Sequence, residues 1–215
     1  MTAFKVHDLA CLRGHSLIFS SLSFELRAGE AMVLHGPNGS GKSSLLRVLA
    51  GLIPAFSGEM NLGEDYTVEE MMTYIGHANP IKAPLTVREN LTYWAALYGA
   101  EEKIPTAMEA MDLTAISDLQ GRVLSSGQRR RLTLARLFLE DKPIWLLDEP
   151  TVGLDIESCK LLENKIAQHR ASDGIVLLST HVGIDVPDVK QLDMAEFSET
   201  QAMLAKQAEA EGLNV

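Results

Sequence analysis

AMVLHGPNGSGKSSLLRVL, residues 31–49, changes character twice in nineteen residues. It begins as an apolar run of buried-strand type. It then passes through three glycines in six residues, and it continues with Leu45, Leu46, Leu49 and, further on, Leu52 at helical spacing. The middle fits G-x-x-x-x-G-K-[ST], and the strand–loop–helix context is the one in which that pattern cradles phosphate. Glycine lets the backbone curl so that successive N–H groups converge on anionic oxygens. The helix start adds partial positive charge. The candidate phosphate contacts are Gly36, Pro37, Asn38, Gly39, Ser40, Gly41, Lys42, Ser43 and Ser44. Lys42 supplies a full positive charge, and the Ser43 hydroxyl suits Mg²⁺, a hard cation that takes oxygen ligands.

Outward from this loop, strand-like runs alternate with helical patterns, which predicts an α/β fold with a mainly parallel sheet. FKVHDLACL (4–12) and LSFELRAGE (22–30) read as opening strands, MMTYIG (71–76) as a short strand and VKQLDM (189–194) as the last. LTVRENLTYWAALYG (85–99) opens a helix, with Thr86 and Glu89 spaced as a capping box. A second helix is expected over residues 106–116. From Ala195 onward the chain is polar and alanine-rich and reads as a docked or fraying helix.

PIWLLDEP (143–150) places two carboxylates at the end of an apolar strand, the edge at which open α/β sheets bind ligands. Asp148 is the expected Mg²⁺ partner, and Glu149 is placed to polarise an attacking water as a general base. STH (179–181) ends the next strand, so His181 is expected at the same edge, near a γ-phosphate or its water. His7, His15, His35, His77 and His169 read as structural.

The chain has 215 residues, 46% of them apolar, and a formal net charge of −10. That charge argues against nucleic acid as the main partner, because such binding neutralises phosphates with a basic face. Cys11 and Cys159 are far apart and show no metal or redox spacing. The first residues, MTAFKVHDLA, lack the apolar core of a signal peptide. No apolar run approaches the ~18 residues of a membrane span. A cytoplasmic protein is expected, with any membrane role supplied through partner chains.

LSSGQRRRLTLARL (124–137) joins a compact, donor-rich turn to a helical pattern, with nothing beside it that resembles a substrate site. Arg129, Arg130 and Arg131 read as a solvated helix face.

Taken in order, GPNGSGKS, LSSGQ, IWLLDEP, VGLD and STH resemble the Walker A, signature, Walker B, D-loop and histidine-switch motifs of the ATP-binding cassette (ABC) ATPases of transporters. The resemblance spans almost the whole chain. A narrower likeness, carried by YIGHANPIKAPLTVRENL (74–91), SSGQRRRLTLARL (125–137) and STHVGIDVPDVKQLDM (179–194), is to the ATPase subunits of bacterial heme exporters in cytochrome c maturation.

The resemblance implies a P-loop NTPase core over residues 1–83 and 124–195, with an N-terminal antiparallel β part. It implies an inserted helical subdomain at 84–123 and a tail at 196–215. It implies ATP and Mg²⁺, and a head-to-tail cassette dimer in which Ser125, Ser126, Gly127 and Gln128 contact ATP held by the partner. Asp155 would lie across the dimer interface. It further implies integral membrane subunits, a heme chaperone and a peripheral site on the cytoplasmic face of the inner membrane. Two positions depart from the family pattern. Ala78 stands where a glutamine usually touches Mg²⁺ and water, and Arg13 falls near the usual adenine-stacking aromatic, where a guanidinium plane can also stack on a base. The expected activity is ATP hydrolysis, with Lys42, Glu149 and His181 as the catalytic groups, coupled to heme export. The other readings are an ATPase of a different small-molecule or lipid exporter and a soluble non-transport cassette protein.

Overall fold

The computed structural model describes residues 3–63, 66–180 and 184–198. Two sheets organise them. β1 (Ala3–Arg13) and β2 (Ser16–Arg27) form an antiparallel hairpin, and β4 (Ser57–Asn61) pairs antiparallel with the other edge of β1. β3 (Ala31–His35), β5 (Met72–Ile75), β6 (Ile144–Asp148), β7 (Ile175–Ser179) and β8 (Val189–Asp193) form a parallel sheet in the order β5-β6-β7-β3-β8. The α/β expectation holds, and so does the antiparallel N-terminal part. β4, written in the unpromising residues SGEMN, carries too little apolar character to be read as a strand alone and is made by pairing with β1.

β6 and β7 are buried at all five positions, as strands covered on both faces must be. Their side chains alternate between two cores. Trp145, Leu147, Val176 and Leu178 face one apolar cluster, while Ile144, Leu146, Ile175 and Leu177 face the other. The first cluster continues into α3 (Val87–Tyr98) and α4 (Ile104–Ala110) through Val87, Leu91, Trp94, Ala107 and Met108. The second holds α1 (Lys42–Leu49), through Leu45, Leu46 and Leu49, against the antiparallel sheet. Each such fully buried aliphatic side chain contributes roughly 1.5–3 kcal/mol.

The helix ends follow local chemistry. Thr86 and Glu89 make the predicted capping box, with backbone-to-side-chain distances of 3.1 and 2.7 Å. A second box, Thr67 with Glu70, opens the one-turn helix α2 (Val68–Met71), which the sequence reading lacked. α1 stops at Leu49 because the chain turns through Gly51 at φ +70°, so Leu52 leaves the buried stripe and is 62% exposed. The helix expected over 106–116 begins two residues earlier and ends at Ala110. Asp112 adopts φ +49°, and only a 3-10 turn follows at Thr114–Ile116. α5 (Ser126–Leu134) and α6 (Ile156–Ala171) complete the helices among the described residues. No described helix is long and apolar enough to cross a membrane.

Candidate functional site: two clefts at separate loops

Parallel register aligns the carboxyl ends of β3, β6 and β7. Leu34 and Asp148 both pair with Ser179. The glycine loop therefore leaves β3 at the same sheet edge as the acidic end of β6, one strand away across β7. Gly41 caps α1 at φ +100°, and a Cβ there would meet Ile18 at 2.9 Å, so the position requires glycine. The Lys42 ammonium donates to the carbonyls of Gly36 at 2.7 Å and Pro37 at 3.0 Å, which holds it across its own loop.

Asp148 is 1% exposed and fully engaged. Its Oδ1 accepts from Ser43 Oγ at 2.9 Å and from Ser179 Oγ at 2.8 Å, and its Oδ2 accepts from the Tyr74 hydroxyl at 3.3 Å. Arg47 Nε donates to the same phenol oxygen at 3.4 Å. Burial pushes the Tyr74 phenol above its ordinary pKa, so it stays a neutral donor to the carboxylate. Such partners are needed, because a carboxylate buried alone costs several kcal/mol. Tyr74 is absent from the sequence-based site; its signal is the parallel pairing of β5 with β6, which is not local.

Glu149 leaves the strand at φ +49°, a left-handed conformation that costs a residue with a Cβ about 1–2 kcal/mol. Its N–H donates to Ser179 O and Ser179 Oγ, both at 3.1 Å. Strain of this kind concentrates at sites where a side chain must be aimed.

Arg13, Asn38, Gly39, Gly41, Lys42, Ser43, Ser44 and Glu149 line one cleft of about 440 Å³. Ile18, His77 and Val152 complete its wall. Gly36 and Pro37 contribute through their carbonyls to Lys42, and Ser40 is buried under the loop, beside Gly36. His77, read as structural, stands on the loop after β5 and lines the same cleft. His181 lies outside the described residues, as do residues 199–215 of the expected tail.

Ser125, Ser126, Gly127, Gln128 and Asp155 gather around a different cleft, of about 540 Å³, that shares no residue with the first. Ser125 caps α5: its Oγ accepts from Gln128 N at 3.2 Å, and Gln128 Oε1 accepts from Ser125 N at 2.9 Å. Asp155 caps α6 through Ser158 N at 2.8 Å, and this bonding holds its carboxyl below the usual range. A Cβ on Gly127 would meet Gly153 O at 2.8 Å, so the two turns touch through backbone. The second cleft lies at the start of α5, the end of a helix that favours an anion. The acidic strand end and Lys42 belong to the other cleft.

The arginine run is not a solvated face. Arg129 donates to the carbonyls of Gly121 and Arg122, Arg131 pairs with Asp112 at 2.7 Å, and Arg130 is 2% exposed. The spacing of α5 turns Arg130 inward, against the loops that end β5 and β6.

A P-loop core with Lys42 and the acidic strand end at one cleft, and the capped turn of Ser125 with Asp155 at a second, has the arrangement of a cassette-type ATPase. A family model described as "ABC transporter" matches residues 19–152, and the chain belongs to the ABC transporter family. The chain is 44% identical over 209 residues to the cytochrome c biogenesis ATP-binding export protein CcmA of Paramagnetospirillum magneticum, covering 92% of this chain and 96% of that one. It is 40% identical over 214 residues to the protein of the same name from Paracoccus denitrificans, with coverage of 100% and 98%. Its fold is also that of a solved ATP-binding subunit of an ABC transporter (TM-score 0.75, 24% identity, 84% of this chain and 80% of that one).

Proposed function

We propose that this chain hydrolyses ATP as the cassette subunit of an exporter complex serving cytochrome c biogenesis, where heme or its carrier is the cargo. The observation that carries the catalytic part is the meeting of Ser43, Asp148 and Glu149 beside the glycine loop. The cargo reading rests on the relatives' names.

In this reading the N–H groups of residues 36–41 and the Lys42 ammonium bind the β- and γ-phosphates. Arg13 stacks on the base. Ser43 Oγ and the Asp148 carboxylate, an all-oxygen pair 2.9 Å apart, suit Mg²⁺ and would hold it. When bound, Mg²⁺ neutralises charge on the transferred phosphoryl group. Glu149 accepts a proton from the attacking water. His181 orients the γ-phosphate. The turn Ser125–Ser126–Gly127–Gln128 closes on ATP held by a second copy of the chain, with Asp155 at that interface. Each site is thus completed by a neighbour, which fits the separation of the two clefts. Residues 1–83 and 124–195 form the core, and 84–123 form the helical subdomain. Integral membrane subunits receive the motion, a heme chaperone receives the product, and the chain sits on the cytoplasmic face of the membrane.

Affinity isolation from membranes, with identification of partners and an absorption spectrum, tests the assignment. Small integral membrane proteins together with a heme Soret band are expected. An unrelated permease without heme would reject the cargo reading and keep the ATPase.

A further inference from the structure

Arg130 stands one helical turn beyond Gly127, and its guanidinium crosses from the second cleft's helix to the first cleft's loops. Nε donates to Pro150 O at 3.0 Å, and Nη2 donates to Asp148 O at 3.1 Å and Glu149 O at 2.8 Å. Nη1 donates to Gly76 O at 2.7 Å and to Asn79 Oδ1 at 3.5 Å. Three consecutive carbonyls, 148 to 150, therefore point at one cation, and the middle one belongs to the residue in the left-handed conformation. Ser179 holds the N–H side of that same residue. A planar fork of five fixed donors can serve this set of carbonyls; an ammonium on a flexible stem cannot.

We propose that Arg130 is a positioning residue. It holds the backbone of Glu149 in its left-handed turn and ties that turn to the helix that carries Ser125, Ser126, Gly127 and Gln128. The same fork fixes the ends of the loop from Gly76 to Asn79, where Ala78 has no side chain with which to reach the site. The signature turn that closes on one nucleotide is thereby wired to the base that acts on another. This inference rests on the reading of Glu149 as the base.

The test compares Arg130→Lys, Arg130→Gln and Glu149→Gln in the purified full chain, reading kcat, KM, displacement of a fluorescent ATP analogue and the melting temperature. Arg130→Lys keeps the charge and loses the fork. It is expected to lower kcat at least tenfold while the nucleotide Kd changes less than threefold. Arg130→Gln, which lacks charge and burden on the helix alike, is expected to follow it. Adding Arg130→Lys to Glu149→Gln is expected to lower turnover no further. A kcat within twofold of the parent in both Arg130 variants, with turnover lost in Glu149→Gln, overturns the positioning role alone. Parallel loss of affinity and turnover in both Arg130 variants also overturns it, in favour of a general structural role. Full turnover in Glu149→Gln instead overturns the catalytic reading on which it rests.

Discussion

Ser43 Oγ lies 2.9 Å from Asp148 Oδ1, across 105 positions of chain. One residue stands in the first turn of the helix after the glycine loop, and the other ends the interior strand β6. Their meeting makes an oxygen pair beside the phosphate loop, and it dictates how their loss should be read. Asp148→Asn should leave nucleotide affinity in EDTA within about threefold. It should remove the gain in affinity that Mg²⁺ confers and lower kcat by roughly 100-fold or more, about 2.7 kcal/mol of barrier. Titrations with and without Mg²⁺ check this, and an unaltered Mg²⁺ effect would refute it.

Glu149→Gln keeps the side-chain volume and removes the basic oxygen. Nucleotide binding should persist, and steady-state phosphate release should fall by about 10²–10⁴, the range expected for a lost general base. Undiminished phosphate release would take Glu149 out of the chemistry.

The two clefts predict complementation between inactive variants. Lys42→Ala damages the first cleft, and Gly127→Ala drives a Cβ into Gly153 O and damages the second. Each alone should be inactive. In the proposed head-to-tail pairs, a one-to-one mixture gives one composite site with both halves intact, so activity should return to about a quarter of the parent. A mixture no more active than its components would argue that each chain works alone.

His169 gives a pH dependence of stability. Its ring stacks on Trp145 with centroids 3.7 Å apart, and burial lowers its pKa to about 4. In the unfolded chain an imidazole titrates near 6.5. Between those values the unfolded state binds a proton that the folded state refuses, so stability falls as pH drops from about 6.5 towards 4. The contribution is at most about 3 kcal/mol, reduced by the ring's partial solvent contact. Urea melts across pH 4–7 should show a shallower slope for His169→Gln than for the parent. Equal slopes would assign the acid sensitivity to other groups.

Much of the fold is legible because its signals are local. The buried character of residues 144–148 and 175–179, the glycine spacing before Lys42 and the Thr86–Glu89 box each lie within a few residues, and each element formed where it was read. β4 escaped because its strand character is lent by β1. The shortened helix at 104–110 escaped because Asp112 leaves the helical region while the apolar pattern runs on.

The candidate site divides in the same way. The sequence by itself determined that a phosphate loop follows β3, that two carboxylates end β6 and that a donor-rich turn opens α5, since each is a property of a short segment. Only the tertiary structure decided that Tyr74 and Ser179 share Asp148, that His77 enters the first cleft and that the second cleft is separate from it. It also decided that the middle arginine of three is the buried one. Those facts depend on strand order and helix rotation. They bring donors to acceptors tens of residues away, a relationship that no local periodicity encodes.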